Sequence, residues 1–372
     1  MNRWAVALRN SSLILRGVFE YNIASRFGPL PAREWLFPVT YRCDARCVMC
    51  NIWQSSKTGE LSVEQWSRIL QDRLFAGVQA VSLTGGEPTL RPDLPQLTQL
   101  LIDKLPALQR VTITTNALSS RRVVDQCKQL LDRCAAHGIR FFVGVSLDGI
   151  GSVHDEMRNV QGAFDKVQQT LEELERLQPP WLSPGRDMTR LRMGINCTLT
   201  SRNLHDAENV RQWCAERGLA VNYIIASYAE NFYSNVQAAN DLAIAPQQRV
   251  EWVAFLRQLA ARKRLGNLAA YFYSDAASMI ERGSARTTPC VFQKDAFILD
   301  ARGDLQYCMY GRTLGNVTDE SAQALYTAGK NLAHRQEIIA DKCHNCTITC
   351  FLEIALAKDA LKYAGFLLGG RK

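Results

Sequence analysis

No stretch of the 372-residue chain is an unbroken run of eighteen or so apolar residues, so no segment reads as a transmembrane helix. The opening residues, MNRWAVALRNSSLILRGVFEYNIASRFG, are interrupted throughout by polar and charged side chains. They lack the compact apolar region and small-residue cleavage site of a signal peptide. These two absences place the protein in the cytosol. The net charge is +8, yet no Lys/Arg tract concentrates it. Anionic partners are favoured by that charge, but its even spread predicts no nucleic-acid partner. Low-complexity tracts and internal repeats are also missing, apart from an alternation of strand-like and helix-like segments.

What the chain has in excess is cysteine, twelve residues of it. In a reducing compartment, clustered cysteines read as metal ligands rather than disulfides. Cys43, Cys47 and Cys50 form one group, and Cys290, Cys308, Cys343, Cys346 and Cys350 a second. The other four, Cys127, Cys134, Cys197 and Cys214, are scattered through helix and strand patterns and read as buried small hydrophobes.

Between residues 36 and 265, apolar runs rich in β-formers alternate with helical patterns. WLFPVTY, QAVSLTGG, RVTITTN, RFFVGVSLDG, LRMGINCTLT and AVNYIIAS read as strands buried on both faces, as in a parallel sheet. Helices are expected between them: over 62–77 with Ser62 as N-cap, over 93–105, 120–136, 162–177 and 205–217, and after the last strand over 247–263. Six β/α units predict an α/β fold, a partial TIM-like (β/α)6 barrel, with chemistry at the carboxyl ends of the strands. QPPWLSPGRD (178–187) reads as a turn-rich insertion, and KDAFILDARGDLQYCMYG as two short strands around a Gly turn. The expected organisation is an amphipathic extension over 1–35, the α/β core over 36–265, and a small cysteine-rich domain with a C-terminal helix over 266–372. Residues 3–26 and 351–369 are amphipathic and basic. Such helices pack on a domain or lie in a membrane interface, which leaves peripheral membrane contact open.

Cys43, Cys47 and Cys50 stand in C-x3-C-x2-C spacing directly after the first strand. Three thiolates on one loop can hold three irons of a cubane and leave the fourth open. A zinc site needs a fourth ligand nearby, and the loop offers only Asp44. The spacing resembles that of the radical SAM (S-adenosylmethionine) superfamily. The resemblance implies a [4Fe–4S] cluster whose open iron binds SAM, and reductive cleavage of SAM to methionine and a 5′-deoxyadenosyl radical. It further implies a low-potential electron donor of the flavodoxin or ferredoxin kind.

Further segments carry the resemblance over 36–230. Gly85, Gly86 and Glu87 lie in TGGEP, similar to the family's GGEP motif, in which backbone groups and the Glu carboxylate receive SAM's ammonium. Met49 falls where the family packs a residue near the adenine, though an ordinary loop hydrophobe is an equal reading. Thr114, Thr115 and Asn116 resemble the pair near the ribose. Ser146 and Arg158, in VSLDG and HDEMRNVQGAF with Asp148, His154 and Asp155, match residues that hold SAM's carboxylate. For Arg158 the alternative is a surface ion pair with Asp155 or Glu156, and Asn159 replaces the family's usual Gly. Asn196, Thr198 and Asn203 resemble the fifth-strand segment lining the SAM pocket, or serve as strand-end caps.

The second cysteine group resembles SPASM and twitch extensions. The five cysteines imply one auxiliary [4Fe–4S] cluster, on Cys290, Cys308 and Cys346 with Cys343 or Cys350; a zinc knuckle is the alternative. Met309 stands where the sulfatase-maturing branch has an Asp base, which argues against that activity. The resemblance implies hydrogen abstraction from an unactivated C–H bond, with an oxidative outcome through the auxiliary cluster. Redox-neutral epimerisation and maturation of a ribosomal peptide are the enzymatic alternatives. The substrate is a small molecule, lipid or peptide. A non-catalytic zinc protein is the rival from outside enzymology.

Overall fold

In the computed structural model, the described residues are 17–177, 192–261, 269–349, 351, 354, 355 and 360–368. They form two compact units. Ala32–Ala243 with Phe297–Asn331 make the core unit; Met1–Pro31, Ile244–Ala296 and Leu332–Lys372 supply the second.

The core unit is built from strand–helix repeats. Its elements run β1 Glu34–Thr40, α1 Val63–Ile69, β2 Ala80–Gly85, α2 Leu94–Lys104, β3 Arg110–Thr115, α3 Ser120–Ala136, β4 Arg140–Ser146, α4 Ser152–Arg158, α5 Ala163–Arg176, β5 Arg192–Leu199, α6 Ala207–Glu216 and β6 Ala220–Ile225. The six strands are parallel and adjacent in sequence order. This is the expected partial barrel, and all the strand carboxyl ends lie on one rim. All seven residues of β1 are buried, so it has no wet face.

The two short strands expected around a Gly turn are present as β7 Ala296–Leu299 and β8 Asp304–Gln306, antiparallel to one another. Gly303 sits between them at φ +88°, a left-handed conformation that favours glycine. With β9 Gly315–Asn316 they extend the same sheet beyond β1. An aromatic cluster holds that side together: Trp35 stacks between Phe37 and Phe297 and packs on Trp66 and Phe75. The indole of Trp35 donates to the Leu299 carbonyl at 3.0 Å.

Most helix expectations hold within a residue or two. The helix expected over 62–77 does not run that far. Ser62 and Gln65 form a reciprocal capping box, but the helix ends at Ile69. Asp72 then takes an extended conformation and caps a separate turn, Arg73–Gly77, by accepting the Leu74 N–H at 2.9 Å. The insertion over 178–187, most of the N-terminal amphipathic segment and part of the C-terminal one lie outside the described residues.

In the second unit, α7 Arg249–Ala260 packs along α8 Ala269–Arg282. The Tyr21 hydroxyl donates to the buried Asp295 at 2.6 Å, and Arg335 donates to the carbonyls of Phe292 and Ala296. No described helix is long and apolar enough to cross a membrane.

Candidate active site and thiol centres

The loop after β1 carries Cys43, Cys47 and Cys50, all half-buried and unbridged. Their thiols lie close enough to act electrostatically on one another. Burial, with that mutual repulsion, pushes Cys43 up to about 11 and Cys50 up to about 12. Only a bound cation would hold them as thiolates near neutrality.

Backbone packing fixes this loop. A Cβ on Gly85 (φ +127°) would meet the Thr40 carbonyl oxygen at 2.3 Å, and one on Gly86 would meet that of Arg42 at 2.1 Å. The two glycines are therefore required where the TGGEP turn touches the cysteine loop itself. Two main-chain bonds seal the contact, Gly86 N–H to Thr40 at 2.8 Å and Glu87 N–H to Arg42 at 2.7 Å. On its other side the loop is tied to the end of α4, by Arg46 N–H to Arg158 O and Val48 N–H to Met157 O.

Glu87 is fully buried. One carboxylate oxygen accepts from Thr89 N–H, Thr89 Oγ1 and Thr115 Oγ1, and the other from Asn116 N–H at 2.7 Å. Burial raises its pKa while these donors oppose the rise. The carboxylate thus latches the end of β2 to the end of β3. Glu87→Ala should strand several buried donors and cost about 3–4 kcal/mol of stability, read as a lowered denaturation midpoint. A midpoint equal to wild type, with SAM affinity lost, would instead put the carboxylate on the ligand.

Asn116 donates to Asp44 at 2.7 Å, and Arg122 pairs with the other Asp44 oxygen at 2.6 Å. Asp44 is therefore committed to those two partners, which removes the loop's one candidate for a fourth zinc ligand. Among the described residues no three Cys, His, Asp or Glu side chains converge to hold a single metal ion.

At the end of β4, Asp148 is buried, and burial raises its pKa against the pull of Arg158. Arg158 is not a surface residue: it is 8% exposed and pairs with Asp148 at 2.7 Å. Its expected alternative partner, Asp155, instead accepts the N–H groups of Gly162 and Phe164. The Nε–H of Arg158 is buried without an acceptor, and a ligand carboxylate would satisfy it. His154 accepts the Asp148 N–H through Nδ1 at 3.0 Å, and burial pushes its pKa down to about 2, so the ring is neutral.

Ser146 ends β4 opposite Asn196 on β5. Thr198 N–H donates to Asp148 Oδ1 at 2.7 Å, and Asn203 bridges the carbonyls of Asp148 and Thr198. Cys197 points the other way and is fully buried, as are Cys127, Cys134 and Cys214. Met49 packs with Met157, Leu242 and Tyr228 beside Cys47.

Sequence reasoning missed the segment after β6. Asn235 donates to the Met49 carbonyl at 2.7 Å, Asn51 N–H to Tyr233 O at 3.1 Å, and Asn231 to Gly311 O at 3.0 Å. Those partners are 80 to 186 residues apart, and no local spacing announces them.

Residues 37–183 match the Radical SAM superfamily. The chain carries a radical SAM domain. Its cofactors are SAM and a [4Fe–4S] cluster, and the three unbridged thiols on one pinned loop fit that cluster. The domain is 28% identical over 172 residues to Fe-coproporphyrin III synthase of Methanosarcina barkeri, covering 45% of this chain and 37% of that protein. It is 28% identical over 204 residues to pre-heme d1 synthase of Dinoroseobacter shibae, covering 54% and 44%. The chain thus aligns with less than half the length of either relative. The solved structure of anSMEcpe with bound AdoMet and Kp18Cys peptide superposes with TM-score 0.59 at 17% identity, covering 90% of this chain and 98% of that one. That likeness is one of fold.

In the second unit, Cys290, Cys343 and Cys346 are close enough to act on one another electrostatically, and burial pushes Cys346 up to about 11. Arg286 organises the segment. Its guanidinium donates to the carbonyls of Cys346 at 3.1 Å and Ile348 at 2.8 Å, and its N–H to His344 O. Asp275 anchors the adjoining Thr287 and Thr288 through four hydrogen bonds. Cys308 lies in the core unit after β8, and Cys350 lies outside the described residues.

Proposed function

We propose that this chain is a radical SAM enzyme that oxidises its substrate at an unactivated C–H bond. The observation that carries the oxidative reading is the second thiol group, Cys290, Cys343 and Cys346, gathered within the second unit. A [4Fe–4S] cluster on Cys43, Cys47 and Cys50 would supply the electron that splits SAM into methionine and a 5′-deoxyadenosyl radical. The chain's own residues position the ligand. Ser146, Asn196 and Thr198 put polar groups along the ends of β4 and β5, and Arg158 offers a carboxylate its free Nε–H. Met49, Met157 and Leu242 give an apolar wall beside Cys47. Asn116 and Arg122 hold Asp44, and with it the start of the cysteine loop.

An auxiliary cluster on the second thiol group would have electron acceptance as its chemistry. Two relatives are named as porphyrin or heme synthases, and one solved neighbour holds a peptide. These names support a small-molecule or peptide substrate; the electron donor in this proposal is of the flavodoxin or ferredoxin kind. Anaerobically reconstituted, reduced protein given SAM alone should release 5′-deoxyadenosine slowly. Protein fully loaded with iron that releases none would overturn the proposal.

A further inference from the structure

One contact at the thiol loop belongs to neither SAM binding nor loop packing. Arg158 Nη1 stands 3.5 Å from Cys47 Sγ, with its N–H directed at the sulfur. The same guanidinium is fixed from behind by Asp148 at 2.7 Å. Asp148 is itself held at three further atoms. Its Oδ1 accepts the Thr198 N–H at 2.7 Å, its carbonyl accepts from Asn203 at 2.7 Å, and its N–H donates to His154. Cys47 has as little freedom. Its neighbours on either side, Arg46 and Val48, donate their N–H groups to the last carbonyls of α4, those of Arg158 and Met157. Thiol and guanidinium are thus two ends of one rigid bracket, and the distance between them is set by the fold.

We propose that Arg158 tunes the reduction potential of the cluster by donating a hydrogen bond to the Cys47 sulfur, with Asp148 as its positioning residue. The inference rests on the reading that Cys43, Cys47 and Cys50 hold that cluster. Reduction adds negative charge that spreads onto the sulfurs. A charged N–H donor at sulfur therefore stabilises the reduced form more than the oxidised one and raises the potential. Asp148 compensates the guanidinium's charge, so the donor is kept in a buried place without an unpaired cation.

The test is an EPR-monitored redox titration, without SAM, of the full, reconstituted chain in a Cys290→Ala, Cys346→Ala background, so that the cluster on the 43–50 loop is the one followed. The charge-balanced double substitution Asp148→Asn with Arg158→Gln removes the charged donor and leaves no buried ion unpaired. Its midpoint is expected to fall by a tenfold change in the reduction equilibrium, about 59 mV for one electron. Full iron content with an unchanged midpoint would overturn the inference. If the variant loses its iron, wild-type protein labelled with ¹⁵N-arginine decides instead. Pulsed EPR of the SAM-responsive signal should then show a nitrogen coupling, and its absence would overturn the inference. Wild-type protein that takes up no iron on the 43–50 loop would overturn the site reading itself, and this inference with it.

Discussion

Replacing Cys43, Cys47 and Cys50 together by Ala is expected to reduce 5′-deoxyadenosine formation to the level of a no-enzyme control and to remove roughly half of the bound iron. The effect is large because all three thiols sit on one loop, and no described side chain stands ready to replace them. Asp44, the loop's own carboxylate, is held by Asn116 and Arg122. The fold should survive. The main-chain bonds that tie the loop to Gly86, Glu87 and the end of α4 need no cysteine side chain. The variant's circular dichroism should match that of the apo wild type. Iron content by colorimetric assay and nucleoside by chromatography complete the measurement. If the variant kept all its iron, the loop would not be the cluster site.

Replacing Cys290 and Cys346 together by Ala should have the opposite pattern. SAM cleavage should continue, while oxidised product falls below detection. The two thiol groups belong to different compact units. The reason for the split is coordination chemistry. A cluster closed by four protein ligands has no open iron for SAM, yet it can take up an electron. The tail carrying Cys343 and Cys346 also has protein contacts of its own, through Arg286 to the carbonyls of Cys346 and Ile348. That support should limit unfolding when iron is lost, which otherwise accompanies the loss of a structural metal site. Oxidised product forming at the wild-type rate in a folded variant would make the second group structural. Epimerisation would then become the better reading.

How much of this was legible in the sequence depends on the range of each interaction. The strands were legible because burial on both faces writes a near-continuous apolar run, as in RFFVGVS. Ser62 was legible as a cap because its partner Gln65 is three residues away. The end of that helix at Ile69 was not, because Asp72 is engaged by Leu74 nearby and also by Ser321 and Gln323, some 250 residues on. The cysteine loop was legible from spacing alone. The close neighbours of its two glycines, the carbonyls of Thr40 and Arg42, lie some 45 residues before the motif and could not be read from it. Glu87 shows the same limit. Its motif marks it as part of the site, but its donors come from another strand end, at Thr115 and Asn116. Arg158 was expected to pair, if at all, with Asp155 or Glu156 on its own helix. Its partner, Asp148, lies before that helix, at the end of β4. The spacing of a motif identifies which residues gather at a site and leaves open which of them hold one another.

The four scattered cysteines give the folded protein a built-in contrast for chemical labelling. Cys127, Cys134, Cys197 and Cys214 are sealed in the core unit at 0% exposure. Water-borne alkylating reagents and peroxide react with a sulfur only where they can reach it, and these four are closed to solvent. Native apo protein should therefore be modified at the thiol-centre cysteines first, while these four react only on denaturation. When air destroys the clusters, the oxidised sulfurs should be the former ligands, and the core should emerge chemically unmarked.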